Sequence, residues 1–317
     1  MWLQVTHTTD YQYDPAVSTA QHLACLLPRD LPSQRVRSSS LRIDPEPEAI
    51  QEHRDAFGNR RAFFALPHPH QALHIEAKCV VQTESLPVVP DIEARTPPWE
   101  QVRDHFHYRA GAAWDAANEF AFASQYVPKA EAFEQFARPS FTPGRPVLEA
   151  AIDLMQRIHR DFEYASKSTD INTPALQALR QRQGVCQDFA HILLACLRTL
   201  GLSARYVSGY LLTAPPKGQP RLVGSDASHA WASVYVPDVR HGEGDDAPLA
   251  PQGRWFDLDP TNDRWGLNSP GHDFVTVALG RDFADVSPVR GVIFGGASHS
   301  LKVGVTVEPL DEALTIE

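Results

Sequence analysis

Between Gln4 and Tyr13 the chain alternates. Gln4, Thr6 and Thr8 interleave with Val5 and His7, and Tyr11 and Tyr13 then alternate with polar residues. A period of two sends successive side chains to opposite faces of a strand. The same strand-like pattern returns over residues 35–43 and 73–81. Phe57-Gly58-Asn59, set between polar and apolar runs, is a hairpin-turn signal. Several short strands with turn signals predict an antiparallel β-sandwich over residues 1 to about 85. Pro87, Pro90, Pro97 and Pro98 then punctuate a linker.

After the linker the period changes. From Trp99 to about Tyr164 the pattern is helical, most clearly where Leu148, Ala151, Ile152, Met155, Ile158 and Phe162 recur at three- and four-residue spacing. The stretch GVCQDFAHILLACLRTLG predicts a second strong helix over residues 184–200, with Gly201 as its stop. Strands are predicted next, over residues 204–212, 229–236, 254–258, 274–279 and 301–307. Helices followed by strands imply an α+β domain with helices packed on an antiparallel sheet. The expected organisation is a β-rich domain over 1–90, a helical connecting segment over 91–146 and a core over 147–317. Two long connections, Thr213 to Ser228 and Pro237 to Gly253, interrupt the core strands, and loops of this length are often functional.

Composition narrows the class. Apolar residues make up 43% of the 317, enough for well-formed cores. The four cysteines, Cys25, Cys79, Cys186 and Cys196, are too sparse for a disulfide framework. The start, MWLQVTHTTDYQYD, shows neither the basic nor the apolar region of a signal peptide. No run approaches the roughly 18 apolar residues of a membrane span. A cytoplasmic location without a membrane partner is therefore expected. The formal net charge is −10 and there is no Lys/Arg block, which argues against a nucleic-acid partner. Acidic clusters around Glu243 to Asp246 and at Asp311 and Glu312 read as solvated loop and tail.

The chemistry is concentrated in three segments. Cys186 falls in the first turn of the 184–200 helix, where unpaired N–H groups and the macrodipole favour a thiolate. Cys196 lies among Ile192, Leu193, Ala195 and Leu197 and reads as core, as do Cys25 and Cys79 in their strands. A nucleophilic cysteine needs a base. His191 is five residues on, about 140° around the helix, and so points elsewhere. His229 opens the strand SHAWASVYVP directly after a long loop, sharing a face with Trp231, Ser233 and Tyr235. The next strand, RWFDLDPTN, carries Asp257 and Asp259 on one face. Alternation does not choose between them. Asp259 stands at the strand end before Pro260, and Asp257 lies deeper, where a structural or supporting hydrogen bond is expected.

Taken together, GVCQDFAHILLACLRTLGLSARYVSGYL, SDASHAWASVYVP and WFDLDPTN resemble the transglutaminase-like superfamily, whose catalytic core resembles that of papain-type cysteine peptidases. GRDFADVSPVRGV resembles the segment that follows in the bacterial branch. LPRD, Gln34 and RDAFGN resemble the β-rich domain that precedes the core there. The resemblance implies a papain/transglutaminase-like core behind the N-terminal β domain. It puts the nucleophile at Cys186, the base at His229 and the orienting acid at Asp259. It further implies attack on an amide of a peptide or protein substrate through a thioester, with hydrolysis favoured over transfer to an amine and with no cofactor. Asp188 is expected to support the cysteine turn. Tyr164 and Trp231 are candidates for the second oxyanion donor beside the Cys186 N–H.

Two other readings compete with this one. One is a non-catalytic binding protein on the same fold. The other is a metal site at His68, His70 and His74, which neighbouring Pro67 and Pro69 and the lack of a completing carboxylate argue against. No metal is expected, and nothing in the pattern sets an oligomeric state.

Overall fold

The computed structural model describes residues 1–111, 114–166, 171–213, 228–238, 253–296 and 298–310. The chain opens with β1 (Trp2–Ala24), β2 (Gln34–Asp44), β3 (Ile50–Arg54), β4 (Arg60–Leu66) and β5 (His70–Thr83). Short helices follow: α1 (Ile92–Arg95), α2 (Trp99–His105), a 3-10 turn (Ala116–Ala121) and α3 (Glu131–Ala137). Next come α4 (Val147–Asp161), β6 (Glu163–Tyr164), α5 (Ala175–Gln181), β7 (Gln183–Gly184) and α6 (Cys186–Thr199). The remainder is β8 (Ala204–Leu211), β9 (Ser228–Pro237), β10 (Gly253–Asp259), β11 (Arg264–Leu267), β12 (Phe274–Gly280), α7 (Phe283–Val286), β13 (Val289–Gly295) and β14 (Ser298–Leu310). This is an α+β chain with an antiparallel N-terminal β domain and a helix-on-sheet core. The two long connections and both acidic clusters fall on 214–227, 239–252 and 311–317, outside the described residues.

The N-terminal β domain is one antiparallel sheet that curls over itself. Residues Trp2 to Gln12 of β1 lie between β5 and β14, and Ala20 to Ala24 lie between β4 and β13. The register against β5 shifts between Gln12 and Val17, where β1 changes partners. The two halves enclose Val17, Phe64, Leu73 and Ile75, so one strand serves both layers of the expected sandwich. Gly58, at a φ of 78°, makes the turn between β3 and β4 that Phe57-Gly58-Asn59 predicted.

The end of the chain departs from the expected 147–317 core. β13 and β14 do not join the core sheet; both pair with β1. A 23-residue strand paired on one side only would present a long open edge, and these two strands close it.

The core sheet has the order β11-β10-β9-β8-β12, all neighbours antiparallel. Helix α6 packs on β8 and β9 and is flanked by α3, α4 and α5. Phe189 to Arg198 are buried all round the helix, which is why its sequence is apolar on every face. Its end is a Schellman motif: Leu202 N–H donates to Leu197 O and Gly201 N–H to Arg198 O, with Gly201 at a φ of 84°. Among the described residues no helix is long and apolar enough to cross a membrane.

Two side-chain amides fasten the β domain to the core. Gln34 Nε2 donates to Thr276 O and its Oε1 accepts from Thr276 N–H, both at 2.8 Å. Asn59 does the same to Leu279, at 2.7 and 2.8 Å. The register of β12 shifts between Thr276 and Ala278, and these two amides satisfy backbone groups of β12 on either side of the shift. Truncating either residue to alanine orphans a buried N–H and a buried C=O. At about 1–3 kcal/mol for each unsatisfied group, Gln34→Ala or Asn59→Ala should lower unfolding free energy by roughly 2–6 kcal/mol. Urea unfolding monitored by tryptophan fluorescence checks this, and a loss below about 0.5 kcal/mol would sink the clasp.

Candidate active site

Cys186 is the first residue of α6, so its own N–H is among the four that no helical carbonyl can reach. The turn before it is tightly built. Asp188 is buried and accepts the Val185 N–H at 2.9 Å. A Cβ on Gly184 would fall 2.7 Å from Asp188 Cβ and 2.8 Å from its Oδ2, so only glycine lets this carboxylate fold back beneath the helix start. Strand β7 pairs in parallel with β6, bringing Tyr164 opposite Gly184. The Tyr164 ring meets Phe189 edge-on at 6.3 Å, and the residue is half exposed.

His229 is the second residue of β9 and is buried. Its Nε2 donates to Asp259 Oδ2 at 2.8 Å. The Cys186 thiol lies within hydrogen-bonding reach of the same ring, and Nδ1 is the nitrogen left to meet it. Burial alone would lower the His229 pKa. The hydrogen bonds to Asp259 and Cys186, with the charges of both, outweigh burial and raise it to about 10. The imidazolium therefore persists across neutral pH. Because the folded-state value lies above the ordinary 6.5, the associated stabilisation is complete below pH 6.5 and is lost as pH rises through about 10.

Asp259 ends β10 and is fully buried. Four N–H donors fix it. Thr261 and Asn262 backbone N–H groups reach Oδ1 at 2.9 and 3.3 Å, and Asn262 Nδ2 joins His229 on Oδ2 at 2.7 Å. The turn is held from outside by His159 of α4, whose Nδ1 donates to the carbonyls of Pro260 and Thr261 at 3.2 and 3.1 Å. Neither Asn262 nor His159 stands out in the sequence. A signal for Asn262 exists, since an aspartate followed by Pro-Thr-Asn is turn chemistry in which the side chain bonds the backbone two residues on. His159 carried no local signal, because its partners are a hundred residues away.

Asp257 does not reach His229. It accepts the Trp231 indole N–H at 2.8 Å, and burial raises its pKa, against the opposing pull of Arg205, Ser233 and Trp231. This corrects the expectation for Trp231 as an oxyanion donor: its only N–H is spent on Asp257, and the ring is buried. Trp231 instead supports His229 from the next inward position on β9, with ring centroids 5.9 Å apart at 28° and Phe274 packed against both. A Cβ at Gly209, opposite His229, would meet that indole at 2.7 Å and Val275 O at 2.1 Å, so the close approach requires glycine.

His191 points away from Cys186. It accepts the Phe283 N–H at 3.2 Å, stacks on Tyr126 at 5.6 Å, and is kept neutral by burial, its pKa lowered to about 3. Cys25, Cys79 and Cys196 are buried. Burial pushes their thiols up, to about 11 for Cys25, about 12 for Cys79 and higher still for Cys196. Cys186 is half-buried, the most accessible of the four. In the histidine run, His70 Nδ1 donates to His68 O and His74 bonds Asp10 at 2.6 Å, so these rings turn to separate partners. Among the described residues no group of three His, Cys, Asp or Glu side chains is placed to hold a metal.

A helix that presents a cysteine at its start, beside adjacent strands carrying a paired histidine and aspartate, defines a papain/transglutaminase-like core. Residues 134–260 match the transglutaminase-like superfamily, and residues 3–82 match the bacterial transglutaminase-like N-terminal region. An uncharacterized protein of Mycobacterium tuberculosis is 39% identical over 314 residues, covering 97% of this chain and 93% of its own length. One from Mycobacterium leprae is 29% identical over 317 residues, covering 98% of this chain and all of its own. The crystal structure of a candidate cysteine protease from Cytophaga hutchinsonii has the same fold, with a TM-score of 0.66 at 22% identity, covering 98% of this chain and 92% of its own. The chain belongs to the transglutaminase-like superfamily.

Proposed function

We propose that the protein is a thiol-dependent acyl-transfer enzyme that hydrolyses a peptide or isopeptide bond, with Cys186 as nucleophile, His229 as acid and base and Asp259 as orienter. The observation that carries the reading is the 2.8 Å hydrogen bond from His229 to a fully buried, fourfold-donated Asp259, with the Cys186 thiol on the same ring. The Cys186 thiolate attacks the amide carbonyl, and a C–S bond forms. His229 delivers its proton to the leaving nitrogen as the C–N bond breaks. Water, deprotonated by His229, then attacks the thioester and frees the thiolate. The Cys186 N–H supplies one oxyanion donor, and the register of Tyr164 beside Gly184 supports its hydroxyl as the second. Partners are peptide or protein substrates, and the four unpaired cysteines suit a reducing, cytoplasmic setting.

The test is intact-mass detection of an acyl adduct with a library of peptide and isopeptide substrates, with and without added amine. A single thioester on Cys186 that decays to free acid is expected. Decay to an amide whenever amine is present would move the reading to transamidation. Absence of any adduct, together with iodoacetamide labelling of Cys186 no faster than Cys196, would remove the enzymatic reading.

A further inference from the structure

A pocket of about 710 Å³ opens where the β domain, the connecting segment and the core meet, lined by none of the triad residues. Its charged floor is made by Arg29, Arg205 and Arg281, and its walls by Phe57, Phe120 and Trp255. The walls are continuous: the Phe120 ring lies 5.4 Å from Phe57 and meets Trp255 edge-on at 5.5 Å.

The guanidinium groups are not equally satisfied. Arg281 is engaged with Asp285 at 2.8 and 3.1 Å and lies 3.8 Å from Glu119, which also lines the pocket. Arg29 Nη1 donates to Phe57 O and, at 3.5 Å, to Asn59 Oδ1, but its Nε has no partner. Arg205 lies over Trp255, its guanidinium carbon 4.0 Å from the ring centroid, and among the described residues its buried Nε meets no acceptor. Burial lowers Arg205 to about 10, with Asp257 pulling the other way and Arg29 adding to the fall. Asp257 does not serve as its acceptor, because one of its oxygens takes the Trp231 indole and the other has no partner.

A buried guanidinium N–H that meets no acceptor is costly, and Arg29 and Arg205 each carry one on Nε. A neutral ligand would leave the facing charges of Arg29 and Arg205 uncompensated. A bare inorganic anion would occupy little of a pocket whose size is that of organic-ligand sites, roughly 300–1,000 Å³. We propose that this pocket binds a small organic oxyanion, a carboxylate or phosphate carried on an aromatic body, with Arg205 and Arg29 taking the oxyanion and Phe57, Phe120 and Trp255 taking the ring. The planar fork of Arg205, held over Trp255, suits bidentate recognition.

Titration calorimetry on the full chain with phenyl phosphate, benzoate, inorganic phosphate and benzyl alcohol tests this. Phenyl phosphate or benzoate should bind, the tighter of the two identifying the oxyanion. Inorganic phosphate and benzyl alcohol should each bind about tenfold more weakly or not at all. Arg205→Gln should weaken the aromatic anion roughly 10- to 100-fold, the range expected for a lost charged hydrogen bond. Phe120→Ala, at a half-exposed wall, should weaken it about threefold or more and serves if the arginine variant does not fold. Cys186→Ala should leave the affinity unchanged, which separates this pocket from the thiol site. The proposal is overturned if neither aromatic anion binds at millimolar concentration, if benzyl alcohol binds as tightly as they do, if the folded variants bind as the parent does, or if Cys186→Ala abolishes binding.

Discussion

Cys186→Ala is expected to reduce turnover of amide substrates by roughly 10⁴-fold or more, the scale on which removing a nucleophile from a triad acts. No other thiol can take over. Cys25, Cys79 and Cys196 are buried, and burial favours their neutral, unreactive form. None of the three stands at the start of a helix beside a histidine. The variant should fold as the parent does, since Cys186 is only partly buried and the Val185–Asp188 bond that closes the turn does not involve its side chain. Cys196→Ala should show the reverse behaviour, lower stability with activity retained. Rates on a peptide or isopeptide substrate, measured beside thermal unfolding for both variants, decide the matter. Residual activity of a few per cent in Cys186→Ala would remove the cysteine from the chemistry.

The second large effect is expected from Asp259→Asn. The carboxylate receives only N–H donors: two backbone groups on one oxygen, His229 and Asn262 on the other. An asparagine must turn its own NH₂ toward one of these pairs, so a donor faces a donor whichever way the amide lies. The imidazole then loses its fixed tautomer and its counter-charge. A fall in kcat of about 10³- to 10⁴-fold is expected, by comparison with the aspartate of serine-protease triads. The pH profile supplies a readout that misfolding would not imitate. Asp259 holds His229 up, so its neutralisation lets the histidine fall toward its ordinary value. The alkaline limb of kcat/KM should therefore move to lower pH. Asp257→Asn should leave that limb in place, because its amide oxygen can still accept the Trp231 indole. An alkaline limb unmoved in Asp259→Asn would mean that this aspartate does not set the state of His229.

The parts of this fold that were legible in the sequence are those whose partners are local. The apolar run of α6 and the glycine that ends it depend on spacing within the helix, and the structure begins it at Cys186 rather than Gly184 only because Val185 is still extended. Alternation placed β8, β9, β10 and β12 within a residue or two at either end, and put Asp257 and Asp259 on one face. What was not legible depends on distant partners. Nothing near Gln34 or Asn59 says that their amides replace missing strand partners of β12. Trp231 offered a plausible donor until Asp257 was found in front of it. The destination of β13 and β14 was hidden for the same reason, since period two reports that a segment is a strand and not which strand it joins.

That destination affects how the molecule can be made. Trp2 pairs with Leu310 and Asp14 with Ser298, so two neighbours in the sheet leave the ribosome nearly three hundred residues apart. At about 5–20 residues per second, β1 waits roughly 15–60 seconds for β14 to be synthesised. Through that interval a long, alternating strand carries one edge that nothing encoded so far can cover, which is the form of chain most prone to pair with a second copy. Closing the sheet is also a contact of large sequence separation and therefore a slow one. The nascent protein is thus a natural client for a holding chaperone, and a chain that stops short of β14 is a candidate for aggregation even though Cys186, His229 and Asp259 are all made by then.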